Sequence, residues 1–409
     1  MNILIINHYA GAPHLGRELR PYFFAKNWQA AGHHVTIATA DHTHLRDTAP
    51  VTGKSPELRR IGEVSYLFFS TPCYNDSIAG RGRNIAAFVK GVWQNAENLA
   101  QEVRPDIVIA QSGYPYDFFP AQRIASMAGA KTVLEIRDLW PLYLQEHYRY
   151  SAHHAAVHFA EYMLGKAVGS ADHVVRVLPH SDEYLRDFGL NKDKTSLILS
   201  GVAAKNRKHN PSAIRQERLK SFRGSDILVM YCGNVGINHD LENFVQSAAL
   251  LKDRAKFVIV GNGGHKITLK RSAQQQELRN IMFLDAIPPS QIPSILENAD
   301  ILYFPLRRGE QNRYGVASAK LLNYMLSGKP VICDGDFPQN PVEISESGVV
   351  LKKSDPQEIA GAVGLLAEMG EQERQRIGEK GKEYVLKHRD YSLLSQQYLD
   401  LLEQLTKNV

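Results

Sequence analysis

Three segments of the chain combine glycines and polar side chains in a loop or turn beside a predicted strand or helix. In one of them, Tyr314 to Ile332 (YGVASAKLLNYMLSGKPVI), small residues precede an amphipathic helix that has Lys320 in its first turn. Free N–H groups at a helix start attract anions, and a lysine ammonium can reach a diphosphate as a point charge. The segment predicts an anion site at Lys320. A surface lysine on an ordinary loop is an equally good interpretation of this segment alone.

The other two segments are MYCGNVGINHDLENFV and FVIVGNGGHK. Four of their glycines, Gly233, Gly236, Gly261 and Gly263, allow close approach of the backbone to a ligand. Asn234 and His239 add side-chain donors. No segment has the GxGxxG or GxxxxGK[ST] pattern, so each is weak evidence alone. Together they are stronger evidence, because all three occur in one half of the chain.

The first half of the chain has a charged cluster in LEIRDLWPLYLQEH, which brings Glu135, Arg137 and Asp138 to the end of a predicted strand. Charged groups at the carboxyl end of a parallel strand face the ligand crevice, where a carboxylate can act on an acceptor hydroxyl or orient a sugar. The alternative is an aspartate that caps a helix beside an ion-paired arginine.

The loop HYAGAPHLGRELRP follows the first strand and supplies His8, Gly11, Arg17 and Glu18. Its glycines have GxxxxG spacing, but Arg17 and Glu18 stand where a P-loop requires Lys and Ser or Thr. This argues against a kinase or an ATPase. The missing GxGxxG argues against NAD.

Basic residues accompany a predicted helix whose apolar face runs from Ile85 to Leu99. The basic residues are Arg81, Arg83 and Lys90, and the same segment contains Trp93. Such a helix can lie on an anionic membrane surface, or it can pack its apolar stripe on the sheet.

The histidines of the chain do not form a convincing metal site. His154 and His158 are four residues apart on a predicted helix, but the sequence has no HExxH motif. We therefore expect no metal site, and we expect no other cofactor because the NAD pattern is also missing.

These segments need two sheets to position them. A chain of 409 residues is too long for one core, and short β-branched runs alternate with helical periods throughout, as in parallel α/β folds. We predict an N-terminal Rossmann-like domain at 1–205, a C-terminal one at 206–390, and a C-terminal helix at 391–409 that packs back on the N-terminal domain. The two domains should face each other across a cleft.

The twelve predicted strands are Asn2–Ile6, Val35–Thr39, Val64–Phe69, Asp106–Ala110, Thr132–Ile136, His173–Val177, Ser196–Leu199, Ile227–Tyr231, Lys256–Val260, Ile281–Leu284, Ile301–Phe304 and Pro330–Cys333.

Composition narrows the class of protein. A net charge of +5 is too small for a nucleic-acid footprint, and three cysteines without a CxxC pair support neither disulfides nor zinc. The N-terminus resembles a buried strand rather than a signal peptide, and no apolar run is long enough to span a bilayer. We expect a cytoplasmic protein with at most peripheral membrane contact.

The motifs NHYAGAPHLGRELRPYFFAKNWQAAGHHVTI, HLR, EIRDLWP, ADHVVRVLPHSDEYL and YGVASAKLLNYMLSGKPVI resemble, in this order, the WbuB-like group of glycosyltransferase family 4. The resemblance covers nearly the whole chain. It implies a GT-B fold and a retaining, metal-independent transfer from a nucleotide sugar held mainly by the C-terminal domain.

The resemblance also implies roles for individual residues. The donor diphosphate would meet Lys320 and a loop of small residues, with Gly233, Asn234 and His239 opposite and Gly261 in the neighbouring turn. That loop and its flanks consist of Arg313, Tyr314, Gly315, Val316, Ala317 and Ser318. The nucleobase would lie near Ala286 and Ile287, and Gly11 would approach from the N-terminal domain.

Two departures from the broad family pattern affect the donor site. Gly315 and Asn323 stand where the family has two glutamates, so a ribose contact by Asn323 would involve a neutral group. Asn234 and His239 stand where the family has the arginine and lysine that clamp the diphosphate. Lys320 is then the clearest remaining cation, with Arg313 as the substitute.

We accordingly expect a transferase of bacterial surface-polysaccharide assembly. It would add an N-acetylated hexosamine or deoxyhexosamine from a UDP donor to a lipid-diphosphate-linked sugar at the inner face of the membrane. Domain closure would bring His8, Glu18, Arg137 and Asp138 over the transferred sugar, while Arg17 and the basic helix would face the acceptor or membrane. The alternatives are a GT-B UDP-N-acetylhexosamine 2-epimerase and a non-catalytic scaffold of a polysaccharide complex.

Overall fold

The computed structural model describes residues 1–16, 18–46, 55–75, 77–204, 211–236 and 239–407. The chain divides into two compact units. Unit 1 comprises Met1–Ser200 together with Tyr391–Val409, and unit 2 comprises Gly201–Asp390. The predicted boundary at 205 and 206 lies outside the described residues.

Each unit contains one sheet. The strands of unit 1 are β1 (Asn2–Ile6), β2 (His34–Ala40), β3 (Glu57–Ile61), β4 (Val64–Phe69), β5 (Ile107–Ala110), β6 (Lys131–Ile136), β7 (His173–Arg176) and β8 (Thr195–Leu197). Those of unit 2 are β9 (Ile227–Cys232), β10 (Ala255–Val260), β11 (Ile281–Leu284), β12 (Ile301–Pro305), β13 (Val331–Asp334) and β14 (Gly348–Leu351).

The helices alternate with these strands. Before residue 200 they are α1 (Arg20–Ala30), α2 (Ile78–Gln94), α3 (Ala96–Val103), α4 (Phe118–Ala128), α5 (Trp140–Tyr148), α6 (Ala155–Ser170) and α7 (Ser181–Leu185). After it they are α8 (Ala213–Arg223), α9 (Glu242–Leu250), α10 (Lys266–Gln275), α11 (Ile292–Leu296), α12 (Ala319–Met325), α13 (Pro341–Ile344), α14 (Pro356–Glu368), α15 (Glu371–His388) and α16 (Tyr391–Lys407).

Both sheets have the doubly wound order of Rossmann-like domains. The order in unit 2 is β11-β10-β9-β12-β13-β14, and in unit 1 it is β3-β4-β2-β1-β5-β6-β7-β8. All pairings are parallel except that of β3 with β4. The predicted α/β class is confirmed, and in this order the turns after β1 and β9 lie at the crevice side of each sheet.

The strands predicted from apolar runs are found within two residues at either end, whereas β3 and β14 were missed. β3 has the sequence ELRRI and is the antiparallel edge strand, and none of its residues is fully buried, so it has no apolar run to reveal it. The predicted helix over 85–99 was also wrong in its extent. The chain has two helices there, which meet at Asn95.

Helix α16 packs on α1 within unit 1. The Trp28 indole N–H donates to the carbonyl oxygen of Ser395 at 2.8 Å, and the Asn27 amide donates to Ser395 Oγ at 2.8 Å. Phe24 and Trp28 both contact the ring of Tyr398 edge to face. The aromatic face of α1 is therefore covered by a helix that follows unit 2 in the chain.

A buried ion pair links α1 to the centre of the unit 1 sheet. Arg20 Nε and Nη2 donate to the two carboxylate oxygens of Glu135 at 2.9 and 3.2 Å, and Gln111 donates to the same carboxylate at 2.8 Å. Glu135, which the sequence placed in the charged cluster after β6, has a structural role because it is enclosed in this network.

Candidate functional site

Lys320 lies against the turn that follows β9. Its Nζ donates to the hydroxyl of Tyr231 at 3.0 Å and lies 4.8 Å from the centre of that ring. A Cβ at position 233 would come within 2.8 Å of Nζ and would displace the ammonium from its present place. The predicted pairing of Gly233 with Lys320 is thus a direct contact within unit 2.

Burial lowers the pKa of Lys320 to about 8. Among the described residues, no carboxylate lies within 4 Å of its ammonium. A partly desolvated cation without an acidic partner gains more from an arriving anion than an exposed lysine does, because the interaction is screened less. Position 320 is therefore suited to holding a diphosphate.

The glycine turns of unit 2 are packed on each other. Val235 N–H donates to the Asn262 carbonyl at 2.9 Å, and His265 N–H donates to the Val235 carbonyl at 3.1 Å. A Cβ at Gly261 would lie 1.8 Å from the Gly233 carbonyl oxygen, and Gly261 has φ +149. Gly261 therefore allows two backbone segments to pack closely. The sequence context had suggested a ligand contact instead.

His239 and Asn234 flank this turn. Burial lowers the pKa of His239 to about 4, and the nearby charge of Lys320 contributes to the lowering, so the imidazole is neutral at pH 7. It can donate one hydrogen bond but cannot replace a diphosphate-clamping cation. Asn234 is exposed, and its backbone carbonyl accepts a hydrogen bond from Tyr231.

The loop before α12 has mixed exposure. Tyr314 and Gly315 are buried, Val316 is half-buried and Ala317 is exposed. Ser318 is also half-buried, and its hydroxyl accepts from Leu321 N–H at 3.3 Å as the N-cap of α12.

Two polar side chains near Lys320 are engaged locally. Arg313 is exposed and pairs with Glu310 at 2.6 Å. The Asn323 amide donates to the Ala319 carbonyl at 2.7 Å. Arg313 must leave its glutamate before it can substitute for a missing clamp.

The proposed nucleobase region follows β11. Ala286 is exposed, and Ile287 is half-buried against the core. Lys266, which the sequence did not single out, is 7% exposed, and its ammonium bonds Asn262 Oδ1, the Leu284 carbonyl and Asp285 Oδ1. It ties the turn after β10 to the turn after β11.

In unit 1 the loop after β1 is held by backbone bonds. Gly11 N–H donates to the Glu18 carbonyl at 2.8 Å, and the Gly11 carbonyl accepts from the Tyr66 hydroxyl at 2.9 Å. Arg46, from the HLR motif, donates to the carbonyls of Ala10 and Ala40. Arg17 lies outside the described residues.

His8 is fully buried. Asn84 donates to two carbonyls through its amide nitrogen, so its oxygen accepts from His8 Nε2–H at 2.6 Å, and the Tyr114 hydroxyl donates to Nδ1 at 2.8 Å. Burial lowers the pKa of His8 to about 3. With both nitrogens engaged, His8 positions the loop and does not present a ring nitrogen to substrate as the sequence suggested.

Arg137 and Glu18 form an ion pair at 2.7 Å, which joins the loop after β1 to the loop after β6. Burial raises the pKa of Asp138, while neighbouring Arg137 lowers it. A Cβ at Gly113 would lie 3.0 Å from Asp138 Oδ2. The structure thus brings together three of the four predicted catalytic side chains.

The basic helix is α2, and it borders a cavity of about 550 Å³ between α2, α4, α5 and α6. Arg81, Lys90 and Trp93 line this cavity. Arg83 is exposed outside it. The four residues predicted on the basic helix to face the acceptor or membrane therefore differ in their surroundings.

The described residues contain neither a metal cluster nor a helix that could span a membrane. No group of three His, Cys, Asp or Glu side chains is placed to share a metal ion within the described ranges. In the same ranges every helix is too short or too polar to cross a bilayer.

Family models match both halves of the chain. Residues 22–201 match the model described as "Glycosyl transferase 4-like domain", and residues 214–384 match "Glycosyl transferases group 1". The chain belongs to glycosyltransferase family 4. The resemblance stated from the sequence motifs is confirmed at the level of this family.

Two named relatives align with part of the glycosyltransferase. One is the WcaI protein of Escherichia coli, named as a putative colanic acid biosynthesis glycosyl transferase, which is 27% identical over 51% of the chain and 52% of its own length. The other is an N,N'-diacetylbacillosaminyl-diphospho-undecaprenol alpha-1,3-N-acetylgalactosaminyltransferase of Campylobacter jejuni, 25% identical over 56% of the chain and 59% of its own length. The chain thus spans little more than half of each relative.

Solved structures of similar fold cover the whole glycosyltransferase. Sucrose-phosphate synthase from Thermosynechococcus elongatus has a TM-score of 0.75 at 15% identity, covering 100% of this chain and 99% of its own. HepE of Anabaena, solved in complex with UDP, has a TM-score of 0.68 at 16% identity, covering 99% and 100%. WaaG has a TM-score of 0.64 at 14% identity, covering 98% and 99%. These likenesses confirm the GT-B fold.

Sequence reasoning missed the tyrosines that hold the cations of the glycosyltransferase. Tyr231 holds Lys320, while Tyr9, Tyr143 and Tyr148 accept hydrogen bonds from Arg81. The only available signal is the cluster of tyrosines after EIRDLWP, and nothing in its spacing identifies the arginine that they surround.

Proposed function

We propose that this family 4 enzyme transfers an N-acetylated hexosamine or deoxyhexosamine from a UDP-sugar to a lipid-diphosphate-linked saccharide, with retention of configuration and without a metal. The observation that carries the proposal is the partly buried ammonium of Lys320 against Gly233, which has no carboxylate partner among the described residues. Such a preorganised donor stabilises the charge that develops on a leaving diphosphate.

The comparisons support the substrate classes. The Campylobacter relative is named for a diphospho-undecaprenol acceptor and an N-acetylated hexosamine, and the HepE structure holds UDP. WcaI is named for colanic acid biosynthesis, and WaaG is named for lipopolysaccharide biosynthesis. We carry these classes over to this chain as surface-polysaccharide assembly at the inner face of the membrane.

Within this proposal, unit 2 holds the donor and unit 1 recognises the acceptor. Lys320 binds the diphosphate, and Asp138 orients the acceptor or the transferred sugar, with Arg137 and Glu18 fixing its position. The leaving phosphate accepts the proton of the acceptor hydroxyl as the new glycosidic bond forms on the face that the phosphate leaves. A separate catalytic base is then unnecessary.

The test is a screen of UDP-sugars against a synthetic prenyl-diphosphate-linked monosaccharide, with products identified by mass spectrometry. We expect one UDP-N-acetylhexosamine or UDP-N-acetyldeoxyhexosamine to add its sugar with the anomeric configuration retained, and activity to persist in EDTA. Formation of a C2 epimer from UDP-GlcNAc alone would indicate an epimerase instead. Absence of UDP binding by calorimetry at high protein concentration would favour a scaffold.

A further inference from the structure

The cavity bordered by α2 has an apolar wall and is named here the α2 groove. Its wall includes Ile85, Val89, Phe119, Leu144, Phe159 and Met163, and its volume of about 550 Å³ lies in the range of small-molecule sites. Trp93 and Phe159 are 43% and 55% exposed, which is unusual for such large apolar side chains. A ligand with a hydrocarbon body would cover this surface.

Of the two basic side chains that line the α2 groove, Arg81 and Lys90, Arg81 is the one held in place by tyrosine hydroxyls. Arg81 Nε donates to the Tyr9 hydroxyl at 3.1 Å, and Nη1 donates to the Tyr148 hydroxyl at 2.7 Å. Among the described residues no carboxylate lies within 4 Å of Arg81, and its Nη2 makes no hydrogen bond. Neutral phenols fix the guanidinium but leave its charge available for an anion.

Arg81 also connects the α2 groove to the charged loops. Tyr9, which accepts from Arg81, is in the loop after β1 and stacks on His8. Burial raises the pKa of Asp138, and the charges of Arg137 and Arg81 are among the influences that lower it. Arg81 and Asp138 are therefore close enough to interact electrostatically.

We propose that the α2 groove binds the prenyl chain of the lipid acceptor, with the acceptor diphosphate at Arg81. The inference rests on the proposed function, which supplies a lipid-diphosphate acceptor, and it assigns that lipid to an internal groove of unit 1 instead of a flat membrane-facing helix. A single chain fits better than a partner helix, because two turns of helix occupy roughly 850 Å³.

The binding experiment uses the full chain and geranylgeranyl diphosphate, followed by tryptophan fluorescence. Trp93 and Trp140 line the groove, so the ligand should change their emission directly. We expect saturable binding of geranylgeranyl diphosphate that is at least tenfold tighter than that of geranyl diphosphate or inorganic diphosphate.

Ala86→Phe narrows the groove from an exposed position on α2, and Gln94→Phe adds the same ring on α2 outside the groove. Ala86→Phe should weaken binding of geranylgeranyl diphosphate at least tenfold, and Gln94→Phe should leave it within twofold. Arg81→Gln should weaken binding of geranylgeranyl diphosphate but leave binding of geranylgeraniol, which has no diphosphate, unchanged.

Equal binding by Ala86→Phe and the wild type would overturn the proposal. Binding to anionic vesicles with no dependence on prenyl length would also overturn it, in favour of a flat membrane contact. Failure of the proposed function would look different. If the chain bound the prenyl ligand and Ala86→Phe weakened that binding, but the chain neither bound UDP nor transferred a sugar, the groove assignment would stand and the transferase reaction would be rejected.

Discussion

At position 320, a single partly buried ammonium is the cation on which the proposed diphosphate contact depends. Lys320→Ala should lower kcat/KM by a factor on the order of 10², given the usual worth of one preorganised donor to a developing anion. Steady-state kinetics with the identified UDP-sugar would measure this. Lys329→Ala removes another partly buried lysine of unit 2 and serves as the control, and unchanged turnover in Lys320→Ala would reject the diphosphate assignment.

The lowered pKa of Lys320 predicts a pH dependence. Since the ammonium loses its proton above about pH 8, UDP affinity should fall about tenfold between pH 7 and pH 9 if the bound state requires the charge. Calorimetry at several pH values measures this change. Lys320→Arg stays charged throughout and should show a flatter profile; parallel profiles for both proteins would contradict the prediction.

His8 predicts acid sensitivity of unit 1. Burial lowers its pKa from the ordinary 6.5 of a solvated histidine to about 3 in the folded protein. The unfolded state therefore binds more protons between these values, and stability falls as pH drops below 6.5. The loss reaches about 2 kcal/mol at pH 5.

Urea unfolding followed by tryptophan fluorescence would measure this loss, because all three tryptophans are in unit 1. His8→Gln should lack this decrease of stability with falling pH. An equal decrease in both proteins would show that another group causes it.

The sequence predicted the proximity of Gly233 and Lys320 in unit 2, but it did not predict the enclosure of His8 in unit 1. Gly233 and Lys320 come together because a glycine turn and a first-turn lysine both occupy the carboxyl ends of neighbouring parallel strands, which the strand order dictates. The sequence did not reveal that His8 is buried, because the residues that enclose it, Asn84, Phe88 and Tyr114, are distant in sequence. Composition near a residue cannot reveal such enclosure.

At the scale of elements, the glycine turns after β9 and β10 pack directly on each other. Gly261→Ala would place a methyl group 1.8 Å from the Gly233 carbonyl oxygen at φ +149. We expect a loss of more than about 2 kcal/mol of stability in unit 2, together with lost UDP affinity. Denaturant unfolding followed by circular dichroism and calorimetry with UDP test both effects.

Gly264 provides the matched control for this substitution. A Cβ there meets nothing within 4 Å, so Gly264→Ala should be close to neutral. If both variants behaved alike, the packing of the two turns would not be the reason for the glycine at 261.

Elements with a strong buried periodicity were predictable, and those without it were not. The central strands of both sheets are almost wholly buried apolar runs, which is why their bounds were found closely. β3 was missed because an edge strand without a buried residue lacks that signal. The break at Asn95 interrupts an otherwise continuous apolar face, so periodicity alone extended one helix across it.

At the scale of the whole molecule, unit 1 is assembled from two separate stretches of chain. Tyr398→Ala should remove a fully buried ring from the contact with Phe24 and Trp28 and cost about 3 to 5 kcal/mol. The tryptophan-detected unfolding transition should shift to lower urea while UDP affinity stays unchanged. Leu393→Ala, at a 37% exposed position of α16, should shift it far less.

The interrupted layout of unit 1 has a consequence during synthesis. Unit 2 emerges from the ribosome before α16 does, so it can fold while the aromatic face of α1 still lacks its cover. At usual rates of translation, the 190 residues from Gly201 to Asp390 take roughly 10 to 40 s to add. Throughout that interval Phe24 and Trp28 are available to chaperones or to other nascent chains, and the half of the protein made first is completed last.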